Sequence, residues 1–132
     1  MTDAGKNQSK GLTGLHILVV EDETAIAMML EDMLLDLGCN VVLAPSIEKP
    51  IASIHQHSFD GVLLDMNIHG RQTTPIAEEL VNRSIPFLLV TGYGAGLNDP
   101  PLIKSAARLQ KPFNAEDLAR RMIEVFINVR FA

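Results

Sequence analysis

Ile17-Leu18-Val19-Val20-Glu21-Asp22 decides the reading of this chain. A run that is apolar at consecutive positions, not at alternate ones, is covered on both faces, as parallel strands are. This run goes straight into two adjacent carboxylates, and a helical pattern starts at Thr24. Two more apolar runs end in polar residues, Val62-Leu63-Leu64-Asp65 and Phe87-Leu88-Leu89-Val90-Thr91, and Leu109-Gln110-Lys111-Pro112 completes the set. An acidic pair, a single Asp, a hydroxyl and a Lys at four strand ends are the parts needed to bind a divalent cation and carry a phosphoryl group.

Helical patterns separate these strands. The first covers 24–37, with Ile26, Leu30, Met33 and Leu37 on one face and Gly38 as its stop. A second strand falls at 40–43. Ser46 is expected to cap the second helix, with Pro50 tolerable only in or before its opening turn. Thr74 as cap and Pro75 as the first helical residue open the third helix, Ile76 and Leu80 facing inward and Glu78 and Glu79 outward. The remaining strands fall at 61–65, 86–91 and 107–110. Between the last two, three glycines and Asp99-Pro100-Pro101 leave room for a short or irregular helix near 102–106. Asn114 with Asp117 three residues on reads as a capping box variant before a long final helix reaching about Arg130. Its apolar residues, Leu118, Met122, Ile123, Val125, Phe126 and Val129, span a broad arc. Complete burial is one reading of that arc; a partner surface or weak dimer through the last helix and fifth strand is the other.

Five strands alternating with helices give an α/β fold, a doubly wound parallel sheet with helices on both faces. Residues 1–14 are polar and aperiodic and are read as a flexible tail, and 15–132 as one domain. A chain of 132 residues can bury a sizeable core without disulfides. Cys39 has no internal partner and reads as a small buried hydrophobe in a reducing compartment. The net charge of -5, with no basic stripe, argues against nucleic acid as a partner. No apolar run is long enough for a membrane span and no signal-peptide pattern opens the chain, so a soluble cytoplasmic protein is expected.

In open sheets of this kind, ligand sites form outside the carboxyl ends of the strands, where all the polar candidates fall. Asp22 and Asp65, with Glu21 nearby or through water and the Asn67 backbone carbonyl, suit Mg²⁺, a hard cation that takes oxygen ligands. His16 and His69 lack the paired spacing of a transition-metal site. Asp65 can act as a nucleophile towards phosphorus, Thr91 can donate a hydroxyl hydrogen bond to a phosphoryl oxygen, and Lys111 can set a compact positive charge against it. Gly92 would leave that pocket open, and Pro112 is either a turn device or a cis peptide aiming Lys111 inward.

At these residues the chain resembles a receiver domain of a bacterial two-component response regulator. Ile17-Leu18-Val19-Val20-Glu21-Asp22-Glu23, Leu63-Leu64-Asp65-Met66-Asn67, Val90-Thr91-Gly92 and Lys111-Pro112-Phe113 carry the resemblance, which covers about 15–130. It implies a flavodoxin-like sheet of order 2-1-3-4-5. Asp65 would be the phosphoacceptor, Glu21 and Asp22 the acidic pair, Thr91 the switch hydroxyl and Lys111 the phosphate contact. His69 stands where the family usually has Pro, which would free the loop after Asp65. Arg108 stands where it commonly has Phe or Tyr, so the coupling that moves that aromatic cannot operate here in the same form. Leu89-Val90-Thr91-Gly92-Tyr93 is partly similar to an alphaproteobacterial subgroup with a Phe-Ala-Thr-Gly motif that often pairs with unorthodox histidine kinases.

The expected function is therefore that of a stand-alone receiver. It takes a phosphoryl group on Asp65 from a histidine kinase or phosphotransfer protein, with Mg²⁺, and resets by self-hydrolysis; it is not an enzyme acting on a separate substrate. Its output is contact with a downstream protein, or service as a relay intermediate or sink, and residues 92–106 are expected to order on phosphorylation. The alternative is an interaction domain that keeps the acidic pocket and signals by binding alone. A phosphatase would want an Asp where Asn67 stands, a flavin-binding protein would be repelled by Glu21-Asp22-Glu23, and no Gly-x-x-x-x-Gly-Lys-Ser/Thr loop is present.

Overall fold

The structure, a computed structural model, describes residues 11–46, 48–68, 71–92 and 99–128. Its elements are β1 (His16–Val20), α1 (Thr24–Asp36), β2 (Asn40–Ala44), α2 (Glu48–Gln56), β3 (Gly61–Asp65), β4 (Asn67–Ile68), β5 (Arg71–Gln72), α3 (Thr74–Asn82), β6 (Phe87–Thr91), α4 (Pro101–Ser105), β7 (Arg108–Gln110) and α5 (Ala115–Met122), which continues as a π-helix over Ile123–Ile127. Five strands form one parallel sheet in the order β2-β1-β3-β6-β7, which is the expected 2-1-3-4-5.

The consecutive apolar residues of the strands divide between two cores. Ile17, Val19, Leu63, Leu88 and Val90 face a cluster with Leu30 and Leu34 of α1 and Leu118, Met122 and Phe126 of the last helix. Leu18, Val20, Val62, Leu64 and Leu89 face a second cluster with Ile54 of α2, Ile76 and Leu80 of α3 and Ile103 of α4. Each such residue, fully buried, contributes about 1.5–3 kcal/mol. Covering both faces leaves the ends of the sheet as the places where strand-borne polar groups can meet. Cys39 is buried, its thiol donates to the Leu12 carbonyl, and burial pushes its pKa up to about 11.

Several expectations change in detail. Leu12 is 0% exposed and belongs to the first core, and Gly14 N–H donates to the Gly38 carbonyl. Packing therefore begins before the boundary expected at residue 15; residues 1–10 lie outside the described residues. α2 begins at Glu48, and residue 47, between it and the expected cap Ser46, is also outside them. Thr73, not Thr74, stands at the N-cap position of α3, and its side chain makes no capping hydrogen bond. The Thr73 hydroxyl and N–H both reach the Met66 carbonyl, tying the helix start to the end of β3, and Thr74 becomes the first helical residue.

The segment after Asp65 forms a small antiparallel pair, β4 with β5, which the sequence pattern did not reveal; His69 lies outside the described residues. Of residues 92–106, 93–98 are likewise outside them, and α4 occupies the place of the expected short helix. The capping box at Asn114 forms as read, with reciprocal bonds to Asp117. The final helix does not stay α-helical. From Ile123 it widens, and Phe126 lies so close to Gly61 that a Cβ there would sit 2.7 Å from the ring. Leu118, Met122 and Phe126 are buried and Ile123 and Val125 half-buried, so most of the broad arc serves the core; Val129 is outside the described residues.

Candidate functional site

β1 delivers its two carboxylates because the strand ends one residue before them. Glu21 N–H still donates to the Ala44 carbonyl at 3.2 Å, prolonging the pairing with β2, and the chain turns into α1 at Thr24. Glu21 is 3% exposed, while Asp22 and Asp65 are half-buried. β3 lies beside β1 and ends at Asp65. One carboxylate oxygen from each of Glu21, Asp22 and Asp65 falls within 4.8 Å of the others.

The cationic side comes from the other half of the sheet. The β6–β7 pairing sets Thr91 opposite Gln110, and Lys111 N–H donates to the Thr91 carbonyl at 2.7 Å. Lys111 Nζ then lies 3.6 Å from Glu21 Oε1, and the Lys111-Pro112 peptide is cis. Thr91 is 3% exposed and one residue beyond Val90, the partner of Asp65. Asn67 opens β4 two residues after Asp65.

Glu21 is pushed up to about 7, above all by burial and also by the charge of Asp65 and a hydrogen bond with it. The N–H of Glu23 and the charge of Lys111 pull the other way and do not compensate. Glu21 Oε1 is buried and accepts no hydrogen bond among the described residues. Three hard oxygen donors crowded at this distance, one of them buried and facing only the Lys111 charge, fit a small divalent cation. Two hollows lie at this edge, one beside Glu21 and Asp22 and the other beside Lys111. One, of about 160 Å³, has Met28, Leu43 and Pro45 in its wall beside Glu21 and Asp22. The other, of about 230 Å³, is lined by Ile26, Met29, Lys111, Pro112 and Phe113.

Glu21, Asp22, Asp65, Thr91 and Lys111 thus arrive at one edge of the sheet, and Glu21 is the most buried of the three acids and lies against Lys111. The alternation that sends Val19 into the α1 side of the core, continued two residues, was the available signal. The part played by Thr73 and by the guanidinium of Arg108, which donates to the Ile103 carbonyl, had no local signal.

Residues 17–123 match the family model described as the response regulator receiver domain. The chain belongs to that family. The virulence sensor protein BvgS of Bordetella bronchiseptica is 42% identical over 86 residues, 65% of this chain and 7% of that protein, so the chain spans a small part of this curated relative. The solution structure of SdrG from Sphingomonas melonis Fr1 is 36% identical, with a TM-score of 0.72 over 83% of this receiver and 93% of SdrG, in line with the partial resemblance to the alphaproteobacterial subgroup. The receiver domain of sensor histidine kinase PA1611 from Pseudomonas aeruginosa PAO1, crystallised with a magnesium ion coordinated in its active-site cleft, has a TM-score of 0.75. It is 23% identical and covers 85% of this receiver and 97% of its own chain. No helix among the described residues is long and apolar enough to cross a membrane.

Proposed function

We propose that this receiver accepts a phosphoryl group on Asp65 from a phosphohistidine of a histidine kinase or phosphotransfer protein, in a Mg²⁺-dependent reaction. The observation that carries the reading is the convergence of Glu21, Asp22 and Asp65 within 4.8 Å, with Lys111 3.6 Å from Glu21. A carboxylate oxygen of Asp65 forms the new bond to phosphorus as the P–N bond to the donor imidazole breaks, and the imidazole leaves with a proton. Hydrolysis of the resulting acyl phosphate returns the carboxylate and inorganic phosphate. A magnesium ion held by Glu21, Asp22, Asp65 and the Asn67 carbonyl would neutralise the charge of the incoming group.

Lys111 faces the same charge, and its present engagement with Glu21 is the contact it would exchange for a phosphoryl oxygen. Thr91 stands at the end of the neighbouring strand, where its hydroxyl can donate to that oxygen. Exposed Met28 beside the carboxylates and Met29 in the hollow beside Lys111 offer an apolar seat for the donor protein. The output is a protein contact or onward relay, in the cytoplasm, with catalysis confined to the protein's own modification.

Intact-protein mass after incubation with Mg²⁺ and a small acyl-phosphate donor tests this. Wild type should gain one phosphoryl group and Asp65→Asn none. No adduct with a small donor or a phosphorylated kinase, on folded protein that binds Mg²⁺, would sink the proposal.

A further inference from the structure

Thr73 is 1% exposed, and both of its donors go to one acceptor. Its N–H and its hydroxyl each reach the Met66 carbonyl at 3.2 Å. A threonine at the N-cap position ordinarily turns its side-chain oxygen onto the N–H groups of the first helical turn. Thr73 does not. Its backbone, at φ -93° and ψ 15°, lacks the extended conformation of a cap, and the hydroxyl makes no capping bond. The bond it makes instead leaves the helix for a residue seven positions back.

That residue stands between two members of the site. Met66 follows Asp65, the end of β3, and precedes Asn67, the start of β4. The Met66 carbonyl lies in the peptide plane shared with Asn67, so a contact that fixes this oxygen fixes the plane. Asn67 and Gln72 form the adjacent rung of the β4–β5 ladder, and Thr73 closes the loop at its base.

The other side of Thr73 is anchored in the core. Its carbonyl accepts the N–H groups of Ile76 at 3.0 Å and Ala77 at 3.1 Å, and Ile76, Ala77 and Leu80 are fully buried in the second cluster. Hydrogen bonds therefore run without a break from a packed helix, through Thr73, to the peptide that follows the nucleophile. A main-chain carbonyl used as a metal ligand has no rotamer of its own, so its place is set by whatever holds the neighbouring peptides. Outer contacts of this kind typically carry about 10–100-fold in metal affinity.

We propose that Thr73 is a positioning residue for the divalent cation. Its hydroxyl, held by α3, fixes the Met66–Asn67 peptide and so sets where the Asn67 carbonyl stands relative to the carboxylates of Glu21, Asp22 and Asp65. This rests on the phosphoacceptor reading above, in which that carbonyl is a magnesium ligand.

The test is a Mg²⁺ titration of the folded protein, read by calorimetry and by the amide resonances of Asp22 and Asn67, with the urea midpoint recorded alongside. Thr73→Val, which keeps the shape and loses the hydroxyl, should raise the Mg²⁺ dissociation constant about tenfold. Thr73→Ser, which keeps the hydroxyl, should bind Mg²⁺ nearly as wild type does. A merely structural tie would lower the urea midpoint of Thr73→Val and leave its Mg²⁺ affinity unchanged, and that result overturns the proposal. So does a Thr73→Ser variant as weak as Thr73→Val. Should Thr73→Val fail to fold, Thr73→Ala takes its place under the same criteria. Resonances of Asp22 and Asn67 that Mg²⁺ leaves unmoved in wild type would overturn the Mg²⁺-dependent phosphoacceptor reading itself, and the role of Thr73 with it.

Discussion

The two ends of the sheet treat charge in opposite ways. At the carboxyl ends of the strands, three carboxylates crowd together, one is buried with an oxygen that makes no hydrogen bond, and Lys111 lies 3.6 Å from it. At the amino ends, charged groups meet direct partners. Asp60 accepts the N–H of His16 at 2.8 Å. Glu79 pairs with Arg83 and lies 3.5 Å from His55, and Arg83 also reaches the His55 ring, joining α2 to α3. The hydrogen bond from Arg83 holds the Glu79 carboxyl below its usual range, while burial lifts Glu21 above it. A crowded group of carboxylates is unfavourable for folding, and the cation and phosphoryl group of the proposed function would offset that cost at this one end.

That contrast can be broken by substitution. Lys111→Ala should slow phosphoryl uptake from a small donor by about 100-fold or more, since a charge aimed at the transferring group is lost. The initial rate read by intact mass checks this, and a rate near wild type would remove Lys111 from the chemistry. Gly61→Ala, away from the carboxylates, should leave uptake chemistry intact but destabilise by about 1–3 kcal/mol, because a methyl group must displace Phe126. A urea midpoint equal to wild type would show that the π-helix yields without strain.

The pH dependence sharpens the comparison further. With Mg²⁺ absent, the raised folded-state pKa of Glu21 means that the folded protein binds more protons than the unfolded chain between pH about 4.5 and about 7. Stability from this group is fully present below that window and falls as pH rises through it, by about 1–3 kcal/mol at most. Urea titrations at both ends of the window should show the loss, and Glu21→Gln or added Mg²⁺ should flatten it. An unchanged slope in Glu21→Gln would assign the loss to other groups. The smallest effect belongs to the amino end. Glu79→Gln removes an exposed ion pair and should leave both the urea midpoint and phosphoryl uptake indistinguishable from wild type. A clear drop in uptake would mean that the two ends communicate.

The sequence by itself determined the strands, their order of polar endings and the capping box at Asn114, because each is encoded within a few residues: consecutive apolar runs, a carboxylate at the last position, an Asn three before an Asp. The gathering of Glu21, Asp22, Asp65, Thr91 and Lys111 at one edge was legible for the same reason, since a parallel sheet brings all strand ends of one polarity to one edge. Tertiary structure alone decided which acid is buried, that Lys111 faces Glu21, that the Thr73 hydroxyl ties the start of α3 to Met66, and that the last helix widens over Gly61. Leu12 and the half-engaged guanidinium of Arg108 fall in the same class. These depend on contacts between residues tens of positions apart, such as Gly61 with Phe126 and Glu21 with Lys111, where packing and desolvation override any local preference.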